Sequence, residues 1–223
     1  TPGIDRKTGE YLSFGVPATV VANYLREQRI VPEKCDLNSI LFLMTPAEDE
    51  SKLGALLAKL VKFKNLWDRD APLGEVLPTL YAQNTARYAG YSIRRVCNEM
   101  HDFYRKANIK ELQKLCFRAT SFPELAMSPQ DAYAKLVGNE VDYVPFTELT
   151  NRVAATLALI YPPGIGVIVP GERWDAKAKP MLDYFRAFEE SFNRFPGFNY
   201  EVQGVYQEQV NGRIQFHTYV VRE

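Results

Sequence analysis

The sequence predicts an α+β fold with a predominantly antiparallel sheet, and three observations carry that prediction. Helical spacing of apolar residues dominates the middle third, and strand character returns from Val141 onward. The chain then closes on "YEVQGVYQEQVNGRIQFHTYVV", two alternating runs joined at Asn211-Gly212. Asn-Gly readily adopts the two positive-φ conformations of a tight hairpin turn, which makes it a strong short-range hairpin signal. With 223 residues at 46% hydrophobic content, the chain can bury one good core or two modest ones.

The elements follow in order. A loop leads into a helix over about 17–28, with Val20, Val21, Tyr24 and Leu25 on one face and Pro17 in the first turn, where a missing N–H is tolerated. "IVPEKCDLNSILFLMTP" gives an extended piece, a polar turn over 36–39 and a buried strand over 40–45. Leu53, Leu56, Leu57, Leu60 and Val61 recur at helical spacing over 48–67, and Pro72 with Gly74 ends that unit. Helices are expected over 93–106 and 109–119. Another should follow "SPQD", with Ser128 as cap, Pro129 in first position and Asp131 reaching back. Strands are expected at 141–146, 153–160 and 167–169. A long helix over about 176–194 then carries Met181, Leu182, Phe185, Phe188 and Phe192 at core spacing.

Composition excludes several function classes. The 27 basic and 27 acidic residues balance without long runs of one sign, which argues against a polyanion partner, whether nucleic acid or anionic membrane. No apolar run approaches the roughly 20 residues of a membrane span. Cys35, Cys97 and Cys116 are odd in number and widely spaced, so neither a disulfide framework nor a metal site is expected, and a reduced cytoplasm is the expected location. The chain opens on Thr-Pro-Gly rather than Met and reads as a piece of a longer protein.

No self-contained catalytic set emerges. His101 and His217 read as partly buried hydrogen-bonding residues, and Cys97 and Cys116 as apolar packing. Glu33 in "IVPEKCD" is a restrained carboxylate whose ordinary reading is a surface ion pair with Lys34 or a neighbour. Arg152 reads as a packed, ion-paired arginine. "LALIYPPGIGVIVPGE" is glycine-rich, yet Val169 stands where a dinucleotide fingerprint needs its third glycine, and Glu172 stands where a phosphate loop needs lysine. Two strands and a turn over 162–164 remain.

"FGVPATVVANYLREQRIVPEKCDLNSILFLMTPAED", "YPPGIGVIVPGE" and "FPGFNYEVQGVY" keep the order in which similar motifs occur in a known family. The sequence resembles the bacterial ornithine, lysine and arginine decarboxylases, pyridoxal-phosphate enzymes of the aspartate-aminotransferase fold type. "PEKCDLNSILFLMTPAE" is most similar to the ornithine-specific branch. The resemblance implies a small aminotransferase-type domain segment at 1–70, followed by an α+β decarboxylase C-terminal domain at 71–223 that ends in the β-hairpin.

The family resemblance also implies a function. As part of a longer protein the chain would serve decarboxylation of L-ornithine to putrescine and CO2, with lysine or arginine as the alternative substrate. A separately expressed assembly or regulatory module is the alternative outside enzymes. Pyridoxal phosphate would be bound by an upstream domain, because the family's cofactor lysine follows a histidine and no His-Lys pair occurs here. Glu33 matches the family acid that faces the substrate's distal amine, where a cation leaving water needs an opposite charge. Gly15, Val16 and Pro17 match a segment lining the same cleft, whose free amides would favour an anionic group. No catalytic or cofactor-binding residue is expected within these residues. A homo-oligomer is implied, and Pro72 and Ser92 stand where some lysine-branch relatives use arginines to hold a guanine nucleotide. Apolar faces shaped for the missing domains imply poor solubility in isolation.

Overall fold

The computed structural model describes residues 3–161 and 164–222. Chain contacts group the residues through Lys106 with Phe195–Phe198, and Ala107–Arg194 with Asn199 onward.

In the first unit, α1 (Ala18–Glu27) starts directly after Pro17 and buries Val20, Ala22, Tyr24 and Leu25. Arg29 takes a left-handed conformation with φ 63°, and the Ile30 amide donates to the Leu25 carbonyl at 2.9 Å. That pair closes the helix in the manner of a Schellman motif. β1 (Lys34–Cys35) and β2 (Ile40–Leu41) form an isolated antiparallel pair. The expected buried strand over 40–45 is therefore cut to two residues, and Leu41, Leu43 and Met44 are exposed. With a two-residue partner, nothing remains beyond Leu41 to continue the ladder.

α2 (Glu50–Asp68) is capped by the Asp49 carboxylate, which accepts the Lys52 amide at 2.9 Å. Its face was expected to be core, but only Phe63 and Leu66 are buried, while Leu53, Leu57 and Val61 are 43%, 64% and 50% exposed. Helical spacing located the helix correctly; it did not say what covers the stripe. Three short helices were not anticipated: α3 (Leu73–Val76), α4 (Pro78–Gln83) and α5 (Thr85–Tyr88). Each is too short to show a period. The first turn of α4 is held from afar by Glu27, whose carboxylate accepts the Thr79 and Leu80 amides at 3.2 and 3.0 Å. α6 (Ile93–Lys106) matches its expected bounds and buries Ile93, Val96, Cys97, Met100, His101 and Tyr104. Phe195–Phe198 completes this unit, with the Tyr88 hydroxyl donating to the Pro196 carbonyl at 2.9 Å.

The second unit opens with α7 (Ile109–Leu115), four residues shorter than expected. The chain after it turns extended ahead of Pro123, with Phe122 at ψ 122°, as a residue preceding proline prefers. α8 (Pro129–Val137) is capped as expected by Ser128, whose hydroxyl oxygen accepts the Asp131 amide at 3.1 Å. Asp131 reaches back to the Ser128 hydroxyl at 2.7 Å rather than to a free amide.

β3 (Val141–Pro145) precedes a buried but irregular stretch. The expected strand over 153–160 is divided among partners: Val153 bridges Arg173, Ala154 bridges Val220, and Ala158 bridges Ile168. Only β4 (Leu159–Tyr161) pairs regularly, and the expected strand at 167–169 reduces to the Ile168 bridge. α9 (Lys179–Arg194) starts three residues late, because the Asp175 carboxylate first holds the Lys177 and Ala178 amides in a turn. β5 (Glu201–Gln203) pairs antiparallel with β4. β6 (Tyr206–Val210) and β7 (Arg213–Val221) form the expected hairpin, and the three-stranded sheet runs β3-β7-β6, antiparallel throughout. α9 packs on it through edge-to-face rings, with Phe192 and Phe216 at 5.3 Å, and Phe146 and Phe185 at 5.3 Å.

Two stability predictions follow from this unit. A Cβ on Gly204 (φ 68°) would lie 1.8 Å from the Leu157 carbonyl oxygen, whereas one on Gly212 (φ 76°) meets nothing within 4 Å. Gly204→Ala should lower stability to urea by about 3 kcal/mol or more, and Gly212→Ala by only about 1 kcal/mol. Equal shifts would contradict the close approach. Hydrogen bonds from Arg222 and then Arg152 hold the Asp142 carboxyl below the usual carboxylate range. Its stabilising contribution is complete above about pH 4 and is lost as pH falls through the lowered native value. Asp142→Asn should accordingly flatten the decline in stability below about pH 4 in an acid-unfolding series.

Candidate functional site

The residues singled out by the sequence lie in the first unit, around the junction of α1 with the β1–β2 hairpin. The hairpin turn is built by Asp36. Its Oδ1 accepts the Asn38 and Ser39 amides at 2.7 and 2.6 Å, and its Oδ2 accepts the Ser39 hydroxyl at 2.7 Å. The Asp36 amide donates to the Ser39 carbonyl at 3.0 Å. An aspartate followed by small polar residues forms such a turn because its side chain stands in for a backbone acceptor.

That turn is tied to the helix. The Ala18 amide donates to the Leu37 carbonyl at 3.2 Å, and Cys35 packs with Ala18 and Ala22 against Ile40. The Val20 amide is taken by the Pro17 carbonyl at 3.0 Å. Two of the amides at the start of α1 are thus already donated within the protein. Gly15 and Pro17 are buried, and Val16 is half-buried. Val16 lines a cleft of about 630 Å³ together with Val21, Ile40, Phe63 and Trp67, and with the Lys64–Asp68 ion pair.

Glu33 sits at the opposite end of the hairpin from the turn. Its amide donates to the Leu41 carbonyl at 2.9 Å, one step before the Lys34–Leu41 pair of the ladder. The side chain is exposed, and among the described residues its carboxylate has neither the Lys34 ion pair that composition suggested nor another partner. Glu33 lines neither the Val16 cleft nor a second one of about 430 Å³ around Ile30, Phe42 and Leu56. The hairpin therefore joins Val16 to its turn and presents Glu33 from its open end.

The remaining candidates take structural places. His101 donates from Nε2 to the Leu12 carbonyl at 2.9 Å, and His217 stacks on Tyr143 at 5.1 Å. All three cysteines are buried; burial pushes the Cys35 and Cys116 thiols up to about 12 and raises Cys97 as well. Reactive thiols require the reverse. Arg152 pairs with Asp142 at 2.5 Å, as expected.

In the second unit, the Cβ direction of Gly164 is filled by the Tyr161 ring, that of Gly166 by Leu157, and that of Gly171 by the Met127 carbonyl. These glycines make room for protein rather than for a phosphate. Pro162 and Pro163 of the expected turn lie outside the described residues. Among the described residues, no helix is long and apolar enough to cross a membrane, and no group of His, Cys, Asp and Glu could hold a metal ion.

The family model for the Orn/Lys/Arg decarboxylase C-terminal domain matches residues 110–222, and that for the Orn/Lys/Arg decarboxylase major domain matches residues 1–52. The chain belongs to the Orn/Lys/Arg decarboxylase family. It is 53% identical over its whole length to the inducible ornithine decarboxylase of Escherichia coli K12, covering 30% of that protein. It is 51% identical, again over its whole length, to the ornithine decarboxylase of Haemophilus influenzae, of which it covers 31%. The solved structure of lysine decarboxylase A from Pseudomonas aeruginosa superposes with a TM-score of 0.91 at 34% identity, covering all of this chain and 29% of that one. The chain thus spans about 30% of the length of the relatives it matches.

Within the polar turn expected over 36–39, Asp36 is the residue whose side chain builds it, and D-x-N-S carries that signal. Asp36→Ala leaves the Asn38 and Ser39 amides without their acceptor and should cost about 1–2 kcal/mol in urea unfolding. An unchanged midpoint would show that the turn does not need its side chain.

Proposed function

We propose that the chain is the C-terminal part of a pyridoxal-phosphate-dependent ornithine decarboxylase, which as a whole converts L-ornithine to putrescine and CO2. The observation that carries this is the match of the entire chain, at 53% identity, to an ornithine decarboxylase. On that reading, the exposed carboxylate at Glu33 is the contact for the distal ammonium of the substrate, and Gly15, Val16 and Pro17 are cleft lining.

These residues do not fit a cofactor site of their own. None of the lysines among the described residues is buried, and no His-Lys pair occurs in the sequence. A lysine activated for imine chemistry needs a desolvated pocket or a cationic neighbour that lowers its pKa. The cofactor, which acts as the electron sink in such decarboxylations, is assigned to the upstream portion, and the chain alone is expected to be inactive. What these residues contribute is binding and orientation. An exposed, unpaired carboxylate at Glu33 is available to a cationic side chain without first breaking an ion pair. Once the upstream portion closes over it, desolvation strengthens that attraction. The Leu53, Leu57 and Val61 stripe is assigned to contact with the same upstream portion, within a homo-oligomer in the cytoplasm.

A lone carboxylate tells an ammonium from water but does not measure side-chain length. The likeness to a solved lysine decarboxylase makes lysine the second reading. Assays of the full-length protein with ornithine, lysine and arginine separate the substrates, ornithine being expected to give the highest kcat/KM. Glu33→Gln should lower kcat/KM for ornithine by at least about 30-fold, the effect of stripping a desolvated charge of its partner. Unchanged kinetics in a variant that binds cofactor normally would sink the substrate-side role.

A further inference from the structure

We propose that His101 is a positioning residue for the segment Gly15–Pro17, a buried post on which the substrate-facing backbone rests. This builds on the cleft-lining role proposed above for that segment. His101 lies on α6 and is 2% exposed. Because a carbonyl only accepts, the bond to Leu12 fixes the hydrogen on Nε2. The backbone closes on the rest of the ring. A Cβ on Gly3 would lie 2.2 Å from Cε1 and 2.6 Å from Nδ1, and a Cβ on Gly15 would lie 2.8 Å from Nδ1. The two glycines also touch each other, since the same Cβ on Gly15 would be 2.5 Å from the Gly3 Cα.

The loop that reaches the ring is itself closed. The Leu12 amide donates to the Gly3 carbonyl at 2.8 Å, Ile4 bridges Tyr11, and the Tyr11 ring meets the imidazole edge-on at 5.7 Å. One side chain therefore sets the height of both passes of backbone, at Gly3 and at Gly15. The next residue, Val16, lines the cleft, and Pro17 leads into α1. Neither glycine can move toward the ring, and without the Nε2 donor the Leu12 carbonyl loses its anchor. An apolar residue of similar volume would fill the space and leave the segment untethered.

The test uses the full-length, cofactor-loaded enzyme with ornithine. His101→Leu removes the donor, and His101→Gln places an amide nitrogen near the position of Nε2. His101→Leu should raise KM by about 10-fold with kcat changed by no more than about twofold, since substrate placement suffers rather than the chemical groups. His101→Gln should restore KM to within about twofold of the parent. In the cofactor-free protein, hydrogen exchange at the amides of residues 12–16 should speed by roughly 10-fold in His101→Leu and much less in His101→Gln.

A folded, loaded His101→Leu enzyme with the parental KM would overturn the proposal. So would equal losses of thermal stability in both variants with no change in KM, which would leave His101 a purely structural residue. Should His101→Leu fail to fold, Gly15→Ala displaces the same segment from the other side; a raised KM supports the proposal and an unchanged one overturns it. Glu33→Gln separates the two readings. If that variant is impaired while His101→Leu is normal, only the role of His101 falls; if it is unimpaired, the reading of the site itself falls.

Discussion

The Ala18 amide, 3.2 Å from the Leu37 carbonyl, joins a helix start to a hairpin turn, and the geometry of the candidate site depends on that join. The β1–β2 hairpin has only two ladder pairs and would not hold its shape alone. Three constraints make up the deficit: Asp36 fixes the turn, the Ala18 amide ties the turn to α1, and Cys35 with Ile40 closes a small apolar contact against Ala18 and Ala22. Glu33 then leaves the ladder from a defined point, one residue before Lys34. A carboxylate that binds a cationic group benefits from such fixing, because a side chain on a floating loop spends binding energy on becoming ordered.

How much of this was legible in the sequence varied with the kind of signal. Elements marked by a local chemical device were placed closely: α8 through Ser128 and Pro129, and the terminal hairpin through Asn211-Gly212. Elements inferred from apolar content alone fared worse. The run from Ile40 to Thr45 reads as a buried strand, yet most of it faces solvent, because burial is decided by a partner that composition does not reveal. The stretch from Val153 to Ile160, expected as one strand, is mostly buried but meets several partners in succession, which no single period can encode. α3, α4 and α5 escaped because a helix of one turn leaves no pattern, and α4 takes its cap from Glu27, about fifty residues away.

The candidate site was proposed from family likeness rather than from physics. The sequence marked Glu33 only as a carboxylate restrained after Val31-Pro32, a signal that does not name a ligand, and the ion pair with Lys34 that composition favours is absent. The supporting residues were readable in principle: Asp36 from its turn motif, and the glycines at 3 and 15 from their need for space. That His101 lies beneath both glycines follows only from the fold, since some eighty-five residues separate Gly15 from the ring it covers. The glycine-rich run after Leu157 gave the opposite lesson. Its glycines face a tyrosine ring, a leucine and a carbonyl, so the feature that suggested a nucleotide turns out to be close packing.

The Asn211–Gly212 turn also sets a chemical lifetime for the sheet. Both residues are exposed and at positive φ, and the ladder resumes at once with Val210 opposite Arg213. An asparagine followed by glycine is the pair whose side-chain amide is most easily attacked by the next backbone nitrogen, releasing ammonia and leaving a ring that reopens mainly to isoaspartate. The rearranged link carries one extra carbon in the main chain. A two-residue turn has no slack to absorb it, and a displaced register would move alternate side chains of β6 and β7 to the wrong face, Phe216 among them. Aged protein should therefore lose order first at the β6–β7 hairpin, well away from Glu33 in sequence, so that the oldest molecules differ from fresh ones in their sheet before they differ at the β1–β2 hairpin.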